Sequence, residues 1–257
     1  MAKSRDIRRD ELVKFVNRNG SVSFEQLKEA FPNFSEMTLR LDLRDLDAEH
    51  RIIRAYGGAR SIEHAIGVDV PFSERIVRDF ERKDKIARKA VELLRNGGTI
   101  FLDSGSTPAI FCRAMPADLS CTIFTANLSC VEDLARLEKS PVIVLGGDLN
   151  RPNLCVEGSR TIEAVRELHI GQLFLSATSY MPSTGFTCEL DAQARLKQAL
   201  IRQSDEVIML ADATKIGGEG TFGFATLKDI GMLVVDEPDE LPAEFLAECK
   251  AASVKVI

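Results

Sequence analysis

Apolar and polar residues follow two different periods along the chain, and the change of period divides it into two parts. In residues 1–60, apolar side chains recur every three or four positions, which is the spacing of one face of an α-helix. This spacing predicts three short helices, over residues 6–18, 23–30 and 35–49. A hairpin is predicted to follow over residues 51–59, so this part is expected to be a winged helix-turn-helix.

The third predicted helix has two chemically different faces. Its apolar stripe consists of Leu39, Leu43 and Leu46. Thr38, Arg40 and Arg44 lie on the opposite face, and Ser35 is placed to cap the first turn. Arginine bonds guanine edges or phosphates, and threonine bonds phosphate or touches a thymine methyl. We therefore expect this face to bind DNA, although a charged helix face is also an ordinary solvated surface.

The hairpin offers two more candidate DNA contacts. Gly57 and Gly58 let its tip run close to a phosphate backbone. Arg54 and Tyr56 lie at that tip and complete the predicted DNA-binding set, which is Ser35, Thr38, Arg40, Arg44, Arg54 and Tyr56.

Residues 61–72 lack a strong period and are predicted to be a linker, after which the pattern changes. Ser73 is expected to cap a long charged helix that ends at Arg95, with Phe80 on its inner face. Apolar strands are then predicted over 99–103, 121–126, 141–147, 154–158, 172–178, 206–212, 231–237 and 253–257. Amphipathic helices are predicted over 108–115, 129–138, 159–168, 190–202 and 242–251. This alternation predicts an α/β domain over residues 73–257, with a mostly parallel sheet covered on both faces.

Polar, flexible stretches follow several of the predicted strands. Ligands of parallel sheets bind beyond the carboxyl ends of the strands, so these stretches are candidate ligand contacts. They contribute Asp103, Gly105, Ser106, Thr107, Asn127, Gly147, Asp212 and Lys215, with Lys197 on a preceding helix. Hydroxyl and N–H groups at a helix N-terminus favour an anion such as phosphate. Ordinary strand-to-helix turns have the same composition, and that alternative stays open.

Composition and charge narrow the class of protein. The chain has 257 residues, 45% of them hydrophobic, which is enough for two domains with cores. Residues 1–60 hold 12 Lys or Arg and 10 Asp or Glu, whereas the rest hold 21 and 29, out of totals of 33 and 39. A mildly basic small domain on an acidic larger one fits a DNA reader joined to another module.

The cysteines and the hydropathy point to the cytosol. The six cysteines are scattered without CxxC spacing, and the sequence has neither an export signal nor a membrane-spanning apolar run. We expect reduced thiols in a cytoplasmic protein, with no metal and no cofactor.

The residues of both parts resemble the DeoR family of bacterial transcriptional regulators. In the first part the matching pieces are SVSFEQLKEAF, S-x-x-T-L-R-x-D-L and the wing ending Y-G-G-A. In the second part D-S-G-S-T, T-A-N, V-L-G-G, G-F-T, the helix with Lys197 and L-A-D-A-T-K occur in family order. The resemblance implies a phosphosugar-sensing domain similar in fold to ribose-5-phosphate isomerase.

The sequence departs from the family pattern at a few positions. Leu41 stands where the family usually has a second arginine, which implies an unusual operator sequence or affinity. His50 stands at the helix exit where the family usually has glycine. Gln172 replaces the usual aspartate, a carboxylate with a structural or ligand-facing role.

Three functions remain open from the sequence. The first is a DNA-binding regulator, expected to be a repressor of a sugar-metabolism operon, whose partners are operator DNA and a phosphorylated sugar effector. It would act as a homodimer or homotetramer without membrane contact. The second is a sugar-phosphate isomerase or transferase fused to a DNA-binding module, with Asp103 or Asp212 as the general base. The third is a protein-interaction module, which leaves the glycine-rich strand ends unexplained.

Overall fold

A computed structural model shows that the chain folds into two compact units, Met1–Val70 and Pro71–Ile257. The structure describes residues 2–19, 21–49, 51–55, 58–61, 71–218 and 220–257. No helix among these residues is long and apolar enough to cross a bilayer.

The first unit is a winged helix-turn-helix, as predicted. Its helices are α1 (Ala2–Asn19), α2 (Phe24–Ala30) and α3 (Glu36–Ala48), and its strands are β1 (Ser21–Ser23), β2 (Ile53–Ala55) and β3 (Gly58–Arg60). The strands form an antiparallel sheet in the order β1-β3-β2. Ser23 caps α2 through a capping box with Gln26, whose backbone N–H donates to the Ser23 hydroxyl at 3.1 Å.

The core of this unit consists of the apolar faces predicted for its helices. Leu39, Leu43 and Leu46 of α3 are all buried there, together with Leu12, Val16 and Leu27 from the other two helices. The wing joins this core closely, because a Cβ atom on Gly58 would lie only 1.9 Å from the Val22 carbonyl oxygen. The predicted wing residues Tyr56 and Gly57, and the helix exit at His50, lie outside the described residues.

The second unit is an α/β domain. Its helices are α4 (Phe72–Arg75), α5 (Phe80–Val91), α6 (Ser106–Ala114), α7 (Val131–Ala135), α8 (Ser159–Arg166), α9 (Asp191–Arg202) and α10 (Ala243–Ala251). Its strands are β4 (Thr99–Leu102), β5 (Thr122–Thr125), β6 (Val142–Val144), β7 (Asp148–Asn150), β8 (Cys155–Glu157), β9 (Ile170–Ser176), β10 (Ser179–Met181), β11 (Gly185–Cys188), β12 (Ser204–Leu210), β13 (Phe222–Ala225), β14 (Met232–Val234) and β15 (Lys255–Val256). Short 3-10 turns cover Leu128–Cys130, Ala213–Lys215, Leu227–Asp229 and Pro238–Glu240.

Seven strands form one parallel sheet in the order β15-β14-β12-β9-β4-β5-β6. Successive side chains of β4 point to opposite faces of the sheet and so pack in two different hydrophobic cores. Phe101 packs on the face covered by α8, α9 and α10, whereas Ile100 and Leu102 pack on the face covered by α5, α6 and α7. This is the predicted sheet with both faces covered.

The prediction of one long helix from Ser73 to Arg95 is wrong, because the structure has two helices, α4 and α5, in its place. Pro71 precedes α4, and Asp79 then adopts a left-handed conformation with φ of 50°, which interrupts the helical hydrogen bonds before α5 begins. The break lets Phe72 bury while Phe80, predicted to face the core, is exposed. Aspartate is one of the few residues that adopt this conformation at modest cost.

Two further differences concern short antiparallel strands. The segment predicted as a core strand at 154–158 pairs as β8 with β7 in a separate hairpin. Strands β10, β11 and β13 form an antiparallel sheet that the sequence did not predict, and it contains the G-F-T segment. Strands of three or four residues are too short to establish a period.

Candidate functional site

The N-terminus of α3 brings two predicted DNA-binding residues together. The Ser35 hydroxyl accepts the Thr38 backbone N–H at 3.2 Å and lies 2.9 Å from the Thr38 hydroxyl. Ser35 is therefore the helix cap that the sequence predicted, and both hydroxyls stand at the positive end of the helix dipole.

The two arginines of α3 differ in their surroundings. The Arg40 guanidinium lies over the Phe24 ring of α2, 4.1 Å from its centroid. The Arg44 side chain is 62% exposed and contacts only its neighbour Asp45 among the described residues, at 3.2 Å. Arg44 can therefore reach a ligand with little rearrangement, whereas Arg40 would leave an aromatic contact. Arg54 is exposed on the wing, and its backbone N–H donates to Asp47 at 2.9 Å.

Two carboxylates of α3 are paired with arginines of α1. Asp42 is buried and accepts two hydrogen bonds from Arg8 of α1, at 2.6 and 3.2 Å. Asp45 accepts a hydrogen bond from Arg5 at 2.5 Å. These ion pairs attach α3 to α1 and neutralise acidic groups that would repel a phosphate backbone.

In the second unit, the predicted ligand residues converge where the strand order reverses. In the sheet, β5 lies on one side of β4 and β9 lies on the other. After β4 the chain first adds β5 and β6 on one side and later adds β9, β12, β14 and β15 on the other, so the switch point lies between β4 and β9. Asp103 follows β4, and Ser176 ends β9. The Asp103 carboxylate accepts the Ser176 backbone N–H at 2.9 Å and its hydroxyl at 3.1 Å, which joins the two strand ends. Such a switch point is where ligands of open α/β sheets bind.

Lys197 of α9 forms a buried ion pair with Asp103 at this switch point. Its ammonium also donates to the Ser176 carbonyl oxygen at 3.0 Å and lies 5.2 Å from the centroid of the Phe224 ring. The structure therefore brings the predicted residues Lys197 and Asp103 together, and each is engaged by the other.

Two predicted residues shape the loop after β4. Gly105 has a φ of 122°, and a Cβ atom there would lie 2.9 Å from the Ser176 hydroxyl, so glycine meets both a conformational and a steric demand. Asn127 is fully buried, and its side-chain amide lies 3.3 Å from the Asp103 carbonyl oxygen and 3.4 Å from that of Gly105. Ser106 and Thr107 then begin α6, with both side chains buried in its first turn.

A second charged cluster lies at the end of β12, where Asp212, Lys215 and Lys83 interact. Burial would raise the pKa of Asp212, but Lys215, the Thr214 hydroxyl and Lys83 together hold that pKa below its usual value. Burial lowers the pKa of Lys215, and the charge of Asp212 only partly offsets this effect. The Lys215 ammonium donates to the Ala177 carbonyl oxygen at 2.6 Å, directly after β9.

Lys83 is a residue of this cluster that the sequence analysis missed. It lies on α5, is only 5% exposed, and donates to the Arg78 carbonyl oxygen. Burial, and then repulsion from Lys215, lower its pKa to about 8. A signal was present, since Lys83 falls in phase with Ile76, Ala87 and Ala90 on the inner side of the predicted helix. A lysine in an apolar stripe is a candidate buried cation.

Helix α5 is also attached to the residues that follow β14, and through them to the loop after β12. Arg82 is paired with Asp236, whose carboxylate accepts the Ala213 backbone N–H at 2.9 Å. Lys89 donates to the Val235 carbonyl oxygen at 2.9 Å. Helix α5 therefore supports the cationic cluster as well as contributing Lys83 to it.

Two other positions stand apart from this cluster. A Cβ atom on Gly147 would lie 2.0 Å from the Thr161 hydroxyl, so this glycine lets the backbone pass close to α8. Gln172 is buried at the start of β9, at the opposite end of the strand from Ser176, and donates to Leu93 at 3.0 Å and to Glu206 at 3.1 Å. Its role in the structure is to hold the chain that follows α5, away from the switch point.

The cysteines take no part in a reactive site. All six are free and buried. Burial raises the pKa of Cys155 and of Cys188 to about 12, so both remain thiols at neutral pH. Within the ranges that the structure describes, no three His, Cys, Asp or Glu side chains are grouped to hold a metal ion.

Comparison with known proteins gives matches to both units. The family model of the DeoR C terminal sensor domain matches residues 78–237, and that of the DeoR-like helix-turn-helix domain matches residues 8–65. The HTH-type transcriptional regulator YulB of Bacillus subtilis is 30% identical over 229 residues, 89% of this chain and 88% of that protein. The glycerol-3-phosphate regulon repressor of Escherichia coli K12 is 29% identical over 232 residues, 90% of each chain. A solved ribose 5-phosphate isomerase A from Methanocaldococcus jannaschii aligns over 54% of this chain and 55% of its own, at 18% identity and a TM-score of 0.39.

Proposed function

This chain belongs to the DeoR family of transcriptional regulators, and we propose that it represses a sugar-metabolism operon until a phosphorylated sugar binds its second unit. The observation that carries the proposal is the convergence of buried cations and a helix N-terminus at the sheet switch point. Lys197 and Lys215 donate to the carbonyl oxygens of Ser176 and Ala177 at the end of β9, and Lys83 interacts electrostatically with Lys215.

This arrangement favours a phosphate group as the recognised part of the effector. Lys83 and Lys215 have lowered pKa values, because burial disfavours their charged forms and nearby carboxylates offset this effect only in part. A phosphate dianion would supply the missing negative charge. The hydroxyls of Ser106 and Thr107 and the N-terminus of α6 would donate hydrogen bonds to it. The relative named for the glycerol-3-phosphate regulon acts in the metabolism of a phosphorylated polyol, which agrees with this effector class.

The same geometry favours binding over proton abstraction. Asp103 is one of the two candidate general bases, and it is bonded to Lys197 and to two groups of Ser176. Asp212 is the other, and its lowered pKa makes it a weak base. Asp103 is already held by these partners and Asp212 is a weak base, so we assign both to electrostatic support of the site.

The first unit supplies the DNA-binding half of the proposal. We propose that α3 lies in the major groove with Arg44 and Arg40 towards the DNA, and that Arg54 contacts phosphate from the wing. Ser35 and Thr38 would donate to a phosphate at the helix N-terminus, and Tyr56 would stand at the wing tip. Two such units in a dimer or tetramer would bind paired half-sites.

The proposal is tested by measuring DNA release. The full-length chain is used to select bound duplexes from a random-sequence pool, and the enriched duplex is then titrated by fluorescence anisotropy. We expect salt-sensitive, sequence-specific binding that glycerol 3-phosphate, ribose 5-phosphate or another phosphosugar of a panel relieves, while the unphosphorylated sugars do not. Failure to enrich any sequence, or turnover of a phosphosugar at enzymatic rates without DNA release, would overturn the proposal.

Arg44→Ala is expected to weaken operator binding by about 1–3 kcal/mol if Arg44 contacts a guanine edge bidentately, and to relax specificity at that base. If Arg44 contacts only phosphate, all duplexes should be weakened and the salt slope should fall by about one unit. Arg40→Ala is measured beside it. Arg88→Ala removes an exposed arginine of the second unit and serves as the control. Titrations of Arg44→Ala that match the wild type at every salt concentration would contradict this placement of α3.

Phosphosugar binding is expected to take up protons at pH 8–9. The pKa of Lys83 lies at about 8 in the free protein, so Lys83 is partly deprotonated there, and a phosphate beside it would raise that pKa again. Affinity should therefore fall as the pH rises through 8, by up to about tenfold per pH unit. Calorimetry in buffers of different ionisation enthalpy measures the uptake. Lys83→Met should reduce it, and an unchanged uptake in that variant would exclude Lys83 from the site.

A further inference from the structure

The exposed face of α3 is unexpectedly apolar. Opposite the buried Leu39, Leu43 and Leu46 stripe, the helix presents Met37, Leu41, Arg44 and Ala48. Met37 is 68% exposed and Leu41 is 41% exposed. Because the two are four positions apart, they are neighbours on one helix face. A single exposed leucine needs no explanation, but a pair on the helix assigned to the major groove does.

The charges around this face identify its occupant. The four acidic residues of α3 all have partners. Glu36 is paired with Lys28 at 2.6 Å, the buried Asp42 with Arg8 at 2.6 Å, and Asp45 with Arg5 and Arg44, while Asp47 accepts the Arg54 backbone N–H. The charged residue of the face formed by Met37, Leu41, Arg44 and Ala48 is Arg44, and the exposed Glu36 beside this face is paired with Lys28. A face with two apolar side chains and an arginine, whose neighbouring carboxylates are all paired, is complementary to a groove lined by phosphates and floored by base edges.

We propose that Met37 and Leu41 contact thymine methyl groups in the major groove and so select thymine at two positions of each half-site. The inference rests on the proposed function, since it requires that α3 enters the major groove. The thymine C5-methyl is the apolar group that the major-groove edges of the bases present. Leucine and methionine cannot hydrogen-bond the donors and acceptors of the other bases. Burial against a methyl group is therefore the interaction through which they discriminate.

The helix geometry sets the spacing of the two thymines. Four residues of α-helix rise about 6 Å. Successive bases of one strand are about 3.4 Å apart. With α3 lying along the groove, Met37 and Leu41 would reach methyl groups about two base steps apart. Arg44, three residues after Leu41, would reach the adjacent base edge or phosphate.

The test removes methyl groups from the DNA and from the protein separately. In the duplex selected by the full-length chain, each thymine is replaced in turn by deoxyuridine, which keeps the base pair and lacks only the C5-methyl. We expect two thymines per half-site at which this change weakens wild-type binding about fourfold, the effect of losing one buried methyl group. Leu41→Ala should lose the sensitivity at one of them and Met37→Ala at the other. Ile7→Ala, which truncates a side chain of α1 that is 58% exposed, should keep both.

The outcomes separate this inference from the function on which it rests. If no duplex is enriched, the proposed function fails. If a duplex is enriched but every deoxyuridine substitution is silent, the function stands and the methyl contacts are refuted. Sensitivity that persists unchanged in Leu41→Ala and Met37→Ala would assign the methyl groups to other residues and also refute the inference. If Leu41→Ala or Met37→Ala changes the oligomeric state but binds DNA as the wild type does, this face contacts another protein chain instead of DNA, which also refutes the inference.

Discussion

Lys197→Met is expected to lower the free energy of unfolding of the second unit by about 3–5 kcal/mol, because it leaves the Asp103 carboxylate buried without its counter-charge. Both side chains of the pair are buried, so water cannot replace the lost ammonium. The Ser176 N–H and hydroxyl still donate to Asp103, at 2.9 and 3.1 Å, and are the remaining compensation. Urea denaturation of the full chain, followed by circular dichroism, measures the change.

A double-mutant cycle distinguishes loss of the charge pair from loss of packing. Asp103→Asn in the Lys197→Met background removes the unpaired charge and keeps an acceptor for Ser176, so part of the stability should return. Lys250→Met removes an exposed lysine of the same unit and should change stability by less than about 0.5 kcal/mol. A loss below 1 kcal/mol in Lys197→Met would show that the pair does not carry the structural role assigned to it.

Replacing both Ser106 and Thr107 by alanine is expected to weaken phosphosugar binding at least tenfold while operator binding stays unchanged. The two hydroxyls stand in the first turn of α6, behind a glycine that turns the chain sharply. A hydrogen bond to a charged group contributes about 1.5–3 kcal/mol, so losing even one exceeds a tenfold change. Calorimetry with the phosphosugar identified by thermal shift measures the affinity.

The chain offers a matched control for this double variant. Ser159 begins α8 in the same way that Ser106 begins α6, after a glycine with positive φ, but its side chain is exposed. Ser159→Ala should therefore leave phosphosugar affinity unchanged. Unaltered affinity in a folded Ser106→Ala/Thr107→Ala variant would show that the α6 N-terminus does not bind the phosphate. The cluster of Asp212, Lys215 and Lys83 would then be the remaining candidate site.

Local patterns were sufficient to predict the elements that have a clear period or cap. The winged helix, the Ser23 and Ser35 caps and the strands of the parallel sheet depend on spacing and on neighbouring residues, and these predictions are confirmed. Asp103 after β4 lies against the end of β9, because the carboxyl ends of parallel strands meet at one edge of a sheet, whereas Gly147 stands apart from this contact. The contacts of the individual site residues with DNA and effector stay predictions.

Other features depend on contacts between residues distant along the chain, which no local pattern contains. The break at Asp79 arises where Phe72 buries and Lys83 reaches the carbonyl of Arg78, so a charged stretch that is periodic throughout becomes two helices. The same packing makes Lys83, which the sequence analysis did not single out, a buried cation.

The chemical state of the site residues was likewise decided by tertiary structure. From the sequence, Asp103 and Lys197 were two separate candidates 94 positions apart, and Gln172 was a candidate lost contact. The folded sheet puts the first two in one ion pair at the switch point and Gln172 at the far end of its strand. Periodicity determines which side chains face a core, whereas the order in which strands add to the sheet determines which of their ends become neighbours.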